Sequence, residues 1–116
     1  MLVTVPDPGL SQVLESDGMI LDRWRDAAND VMVLLQLLLH TAARTLAEVL
    51  ALGLIVLAAS PAARSALILQ YRRVSLVVLG RRADGSEVTA AQDHPEEVTH
   101  LEVHGVRVAA LAQARP

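Results

Sequence analysis

Between Met19 and Ala59 the chain has no proline and a single glycine, Gly53. Pro and Gly are the residues that most readily end a helix, so an apolar-rich stretch this long without them favours helix. At about 100° per residue, Asp22, Asp26, Asn29, Asp30, Gln36, His40, Arg44 and Glu48 fall on one half of the cylinder, and Ile20, Trp24, Val31, Leu35, Leu38, Leu39, Ala42, Leu46 and Leu50 on the other. The phase holds across 40–45, where a tight turn would reset it and would call for Gly or Asn. The pattern predicts one helix of about 40 residues, on the order of 60 Å long, with a helical hairpin breaking near 40–43 as the alternative. After Glu48 the formerly polar side becomes apolar through Ala51, Leu52, Ile55 and Ala59. A helix apolar all round has to be covered on every side. Gly53 lies on its apolar face, where the lack of a side chain allows another backbone to approach closely. Leu35, Leu38, Leu39, Leu46, Leu50, Gly53 and Leu57 are therefore the expected interaction surface, and self-association or docking of a protein partner the expected behaviour.

Around this stretch the elements are short. Leu2–Val5 predicts a strand or extended arm stopped by Pro6 and Pro8, and Leu10–Leu14 one helical turn. Ser16-Asp17-Gly18 then breaks the chain, with Asp17 as cap of the next helix. Ser60-Pro61 suggests the start of a short helix reaching about Tyr71. Val74–Leu79, apolar on both faces, reads as a central strand. Asp84-Gly85 signals a two-residue hairpin turn with Arg82 facing Glu87, followed by a returning strand over Val88–Ala91. His104-Gly105 signals a second turn, pairing Val103 with Val106, Leu101 with Val108 and Glu102 with Arg107. The expected fold is α+β: a long amphipathic or apolar helix (or helical hairpin) plus a short helix, then a small antiparallel meander of two hairpins. At 116 residues this makes a single domain, with residues 1–60 as helical part and short N-terminal arm, and residues 61–116 as short helix and hairpins.

Composition narrows the chemistry. Apolar residues make up 53% of the chain and charged residues 20%, which excludes a disordered chain. Aromatics are only 2%, so Leu, Val and Ala must fill the core. The absence of cysteine excludes disulfides, thiolate metal sites and a Cys nucleophile. All 10 basic residues are arginine, which excludes a Schiff-base or P-loop lysine. His94, His100 and His104 stand among Asp93, Glu96, Glu97 and Glu102, donors that suit zinc. Their spacing matches no metal motif, however, and the hairpin reading places them in solvent, so no metal is expected. His40 reads as a surface residue. Asp22, Asp26 and Asp30 recur every four residues on one helix face, but with Arg23 and Arg25 interspersed they read as a solvated face rather than a coupled acid–base pair. Arg44 and Glu48 form an ordinary i,i+4 pair. There is no Gly-rich phosphate loop and no nucleophile elbow. Catalysis, a cofactor and a small-molecule substrate are not expected.

Arg64, Arg72, Arg73, Arg81 and Arg82 form a basic stripe with no acid between residues 64 and 82, whereas residues 1–60 hold 3 arginines against 7 carboxylates. The stripe is expected to dock on the acidic half of its own or a neighbouring chain. Without aromatic interleaving beyond Tyr71, nucleic acid is disfavoured. The longest uncharged runs, residues 31–43 and 49–63, fall short of the roughly 20 residues a spanning helix needs. Residues 1–9 have neither the basic nor the long apolar region of a signal peptide. The expected location is therefore cytoplasmic. The alternative is a membrane-associated subunit that inserts residues 49–63 and sets the arginines at the headgroups.

The stretch from Ala62 to Glu97 reads as helix, Tyr71-Arg72-Arg73, the strand Val74–Leu79, Asp84-Gly85, then Glu87-Val88-Thr89. This resembles the end of the effector-associated constant component family of actinobacterial conflict systems. The resemblance implies a bacterial, non-catalytic adaptor encoded beside effectors and proteases. It covers under a third of the chain, and the N-terminal half departs from it.

Overall fold

The computed structural model describes residues 1–39, 42–59 and 66–109. In chain order the elements are β1 (Leu2–Thr4), α1 (Pro8–Leu14), α2 (Asp17–Trp24), a 3-10 turn (Arg25–Ala27), α3 (Ala28–Leu39), α4 (Leu46–Leu50), β2 (Val56–Ala59), β3 (Ala66–Tyr71), β4 (Val74–Arg81), a 3-10 turn (Pro95–Glu97) and β5 (His100–Val108). The class is α+β. The strands form one mixed sheet in the order β1-β5-β4-β3-β2, in which only β1 and β5 run parallel. Residues 1–60 thus supply both outer strands, β1 from the N-terminal arm expected to be extended and β2 from a stretch expected to be helical.

The first half starts helices where local chemistry allows. Asp7 caps α1 by accepting from the Gly9 N–H at 3.1 Å, ahead of Pro8, whose missing N–H costs nothing there. Ser16, not Asp17, caps α2 by accepting from the Met19 N–H at 3.3 Å. At Arg25 the backbone turns left-handed (φ 49°), so the helix is interrupted before α3. In α3, Val31, Leu34, Leu35 and Leu38 are buried, the i, i+3, i+4, i+7 stripe of an amphipathic helix.

The continuous helix expected over 19–59 does not form. Helix ends at Leu39, and the chain restarts at Thr45 with a capping box: Glu48 N–H donates to Thr45 Oγ1 at 3.4 Å, and Thr45 N–H to Glu48 Oε2 at 3.0 Å. The break of the hairpin alternative, near 40–43, lies partly outside the described residues; residues 42–43 are not helical, and α4 has only five residues. The chain then turns at Gly53 (φ 77°) and becomes the strand β2. No Cβ neighbour lies within 4 Å of Gly53, so it serves a turn rather than a close backbone approach. Ala66–Tyr71, expected as helix, is β3. It pairs with β4 through the two-residue turn Arg72-Arg73, with Arg72 at φ 54°. The beginning of that expected helix, residues 60–65, lies outside the described residues. The helix on which the family resemblance leans is therefore a strand over 66–71.

β4 is the central strand, as expected, and its burial alternates, with Val74, Leu76, Val78 and Gly80 buried. The turn after it is not the two-residue loop. Gly85 N–H donates to Arg82 C=O (2.9 Å), Arg82 N–H donates to Ser86 C=O (2.8 Å), and Gly85 has φ 88°. This is a three-residue loop closed by a glycine bulge, which brings Arg81 rather than Arg82 opposite Glu87. Val88 N–H bonds back to Gly80 C=O at 3.0 Å, but no strand forms over 88–91.

The second hairpin is also absent. β5 runs unbroken through His104-Gly105, pairing Val77 with Gly105 and Val78 with Val103. His104 is the additional residue of a β-bulge. The bulge reverses the side-chain parity, so Leu101 and Val103 before it and Val106 and Val108 after it pack toward the same core. The core lies between the helices and one sheet face, and its largest fully buried members are Ile20, Leu34, Leu38, Leu46, Leu67, Leu69, Leu76 and Leu101. Aliphatic side chains fill it, as the composition requires.

Candidate interaction surfaces

The expected basic stripe is largely neutralised within the chain. The β3–β4 turn carries Arg72 to 3.9 Å from Asp30 and Arg73 to 4.0 Å from Asp26, which fastens the turn to the acidic helices. Arg81 reaches Glu102 at 3.0 Å and Glu87 at 3.7 Å, and Arg82 reaches Glu97 at 2.7 Å. Arg64 lies outside the described residues. Asp22, Asp26 and Asp30 are split among α2, the 3-10 turn and α3, so they do not make a coupled carboxylate set.

On the sheet face away from the helices, Arg81 of β4 joins Glu102 and His104 of β5, and Thr4 of β1 pairs with His100 of β5. Glu102 is the centre of the first group, accepting from Arg81 Nε at 3.0 Å and lying 2.8 Å from His104 Nε2. Partial burial disfavours its charge, but hydrogen bonds from Arg81 and His104 outweigh that and hold its carboxyl below the ordinary value. The Arg82 guanidinium lowers Glu97 in the same way. Backbone N–H groups of Arg44 and Thr45 lower Glu48, and the Ser86 hydroxyl and N–H lower Asp84. His100 Nε2 lies 2.8 Å from Thr4 Oγ1, linking β5 to β1. The three C-terminal histidines are not brought together. His94 stands apart with Glu96 and Glu97, at 3.5 and 3.6 Å. These three residues have ligand atoms within 4.8 Å of one another, all on or near the surface, with one Glu97 oxygen held by Arg82. His40 lies outside the described residues.

The expected leucine surface divides. Leu38 and Leu46 are core residues with no exposure at all, so they cannot meet a partner, and Leu35 is also buried, with 7% of its surface exposed. Leu50 and Leu57 are half-buried against that core, and Gly53 is exposed. Of the expected set only Leu39 is an exposed leucine, at 50%. Exposed apolar side chains gather instead at Leu52, Leu54 and Val56, where α4 passes into β2, and Val56 is 64% exposed. Among the described residues β2 is an outer strand, paired only with β3.

At the opposite edge of the sheet lies a cleft of about 330 Å³. The β1 side contributes Val3, Thr4 and Val5, α1 contributes Ser11, Leu14 and Glu15, and α3 contributes Leu35 and Leu39. A second cleft of about 160 Å³ shares Leu14, Leu35 and Leu39 and extends toward Asp17 and Gln36. Sequence reading missed this groove because it depends on the packing of β1 and α1 against α3, which lies some way further along the chain. No helix of the described residues is long and apolar enough to cross a membrane, and residues 49–59 form a helical turn, a loop and a strand. The chain matches no protein-family model, no curated protein and no solved structure.

Proposed function

We propose that the protein is a non-catalytic assembly module that pairs with a second copy of itself along β2. The observation that carries this reading is the character of that edge. Val56-Leu57-Ala58-Ala59 contains no charge and no proline, and Leu52, Leu54 and Val56 beside it are exposed. Edge strands of monomeric proteins are normally guarded by charge, proline or a bulge, because their free backbone groups template pairing with another chain. Two β2 strands meeting antiparallel about a two-fold axis form a closed dimer rather than a filament. The self-association expected of the leucine stretch thus moves to its C-terminal end. A non-catalytic role is supported by the described histidines and by Arg81, Arg82, Glu97 and Glu102, which are engaged with polar neighbours at or near the surface. The paired arginines also have less charge to offer a phosphate or a headgroup, and the reading does not rest on the family resemblance.

Sedimentation over a concentration series tests this. Wild type is expected to dimerise, whereas Val56→Lys and Leu54→Lys, both at exposed positions, remain monomeric with unchanged melting. A wild-type chain that stays monomeric at several hundred micromolar overturns the proposal.

A further inference from the structure

The groove beside β1 meets the edge of the strand rather than one of its faces. Val3 and Val5 point to the helical side of the sheet and Thr4 to the other, where it meets His100. A cleft lined by all three consecutive residues therefore runs along the edge of the strand. That edge carries usable backbone groups. Leu2 N–H donates to Thr99 C=O at 3.1 Å, so Leu2 and Thr4 face β5 and the main chain of Val3 faces the groove. The opposite wall is helical, with Leu14 and Leu39 supplying apolar surface and Glu15 a carboxylate at the rim. The adjoining cleft adds Asp17. Glu15 Oε1 accepts from the neutral Ser11 hydroxyl at 3.5 Å, whereas Asp26 and Asp30, which do not line the clefts, are matched by Arg73 and Arg72.

We infer that this groove binds an extended, apolar and basic peptide segment of a partner protein. The segment adds to β1 as a sixth strand, with an aliphatic side chain against Leu14 and Leu39 and a basic side chain at Glu15. In strand addition the main chain supplies affinity and alternate side chains supply specificity, and here the two parts lie side by side. The carboxylates at the rim select for positive charge and repel acidic peptides and polyanions. This inference is independent of dimerisation through β2, which lies at the other edge of the sheet.

The test uses the full chain and two fluorescein-labelled, terminally blocked peptides, Ser-Val-Arg-Leu-Val-Thr and the same peptide with Glu in place of Arg. Anisotropy is expected to show the Arg peptide binding about tenfold more tightly or better. Leu39→Glu is expected to weaken it by a similar factor, and Glu15→Lys to reverse the preference between the peptides. Leu39 and Glu15 are exposed, and a melting curve of each variant verifies folding. Hydrogen exchange of the Val3 amide is expected to slow when the Arg peptide is added. Val56→Lys, which breaks the proposed dimer, leaves peptide binding unchanged. Several results overturn the inference: neither peptide binding at millimolar concentration, an unchanged preference in Glu15→Lys, dodecylamine binding in place of both peptides, or a self-association abolished by Leu39→Glu.

Discussion

Gly80 lies on the buried side of β4, where a Cβ would stand 2.9 Å from Val98 Cγ2 and 3.3 Å from Ala91 Cβ. Val98 is fully buried and β-branched, so it cannot swing away. Gly80→Ala is expected to cost about 1–3 kcal/mol by overpacking, read as a fall in melting temperature, and Val98→Ala in the same chain should recover part of it. An additive double mutant would show that the two sites do not compete for space. Gly105 behaves differently. It has no positive φ, and its Cβ would meet only Val77 at 3.9 Å. The turn reading makes a side chain at 105 costly, whereas in a continuous strand Gly105→Ala is expected to be neutral or stabilising by up to about 1 kcal/mol. At Thr45 the loss of one oxygen removes half of the capping box, and Thr45→Ala should cost about 1 kcal/mol, measured by urea denaturation.

At the scale of elements, β1, a helical turn ending at Leu14, the helix beginning near residue 17 and the central strand β4 were legible, because each has a proline stop, a capping or breaking residue beside it or a valine-rich apolar run; the Asp7 cap and the start of α1 at Pro8 were not. The region 45–59 was not. Leu, Val and Ala at nearly every position satisfy both the 3.6 and the 2.0 period, so the apolar pattern there cannot choose between helix and strand. The missed signal was Thr45-Leu46-Ala47-Glu48, a capping-box sequence that marks a fresh helix start. β5 was ambiguous for another reason. Leu101, Val103, Val106 and Val108 reach one face either by folding back through a two-residue turn or by continuing through a bulge, and the sequence spacing is the same for both. Deleting His104 separates the two. In the bulged strand the deletion leaves Leu101, Val103, Val106 and Val108 in strict alternation and every other pair with β4 in register. It is expected to change stability by about 1 kcal/mol or less. Deleting Glu102 shifts Leu101 and the residues before it out of phase and should unfold the sheet. Equal damage from both deletions would contradict the bulge. Of the proposed surfaces, only the apolar character of 50–57 was visible beforehand, since the peptide groove exists only after β1 has docked.

For the whole molecule, four carboxylates make stability depend on pH. Glu48, Asp84, Glu97 and Glu102 all ionise more readily folded than unfolded. As pH falls, the unfolded chain takes up these protons first, so stability is full above the ordinary carboxylate range and is lost on descending through and below it. The melting temperature should hold from neutrality to about pH 5 and drop below roughly pH 4, with a smaller drop in Arg82→Gln, which frees Glu97. A flat profile down to pH 3 would contradict this linkage. The parallel pairing of β1 with β5 bears on how such a chain is made. Thr4 and His100, hydrogen-bonded in the folded protein, are 96 positions apart. A ribosome adding about 5–20 residues per second releases β1 several seconds before β5 exists to receive it. For the last part of that interval, between the synthesis of Arg81 and that of His100, β4 also has a bare flank, so two nascent chains on one messenger can join each other's strands before either completes its own sheet.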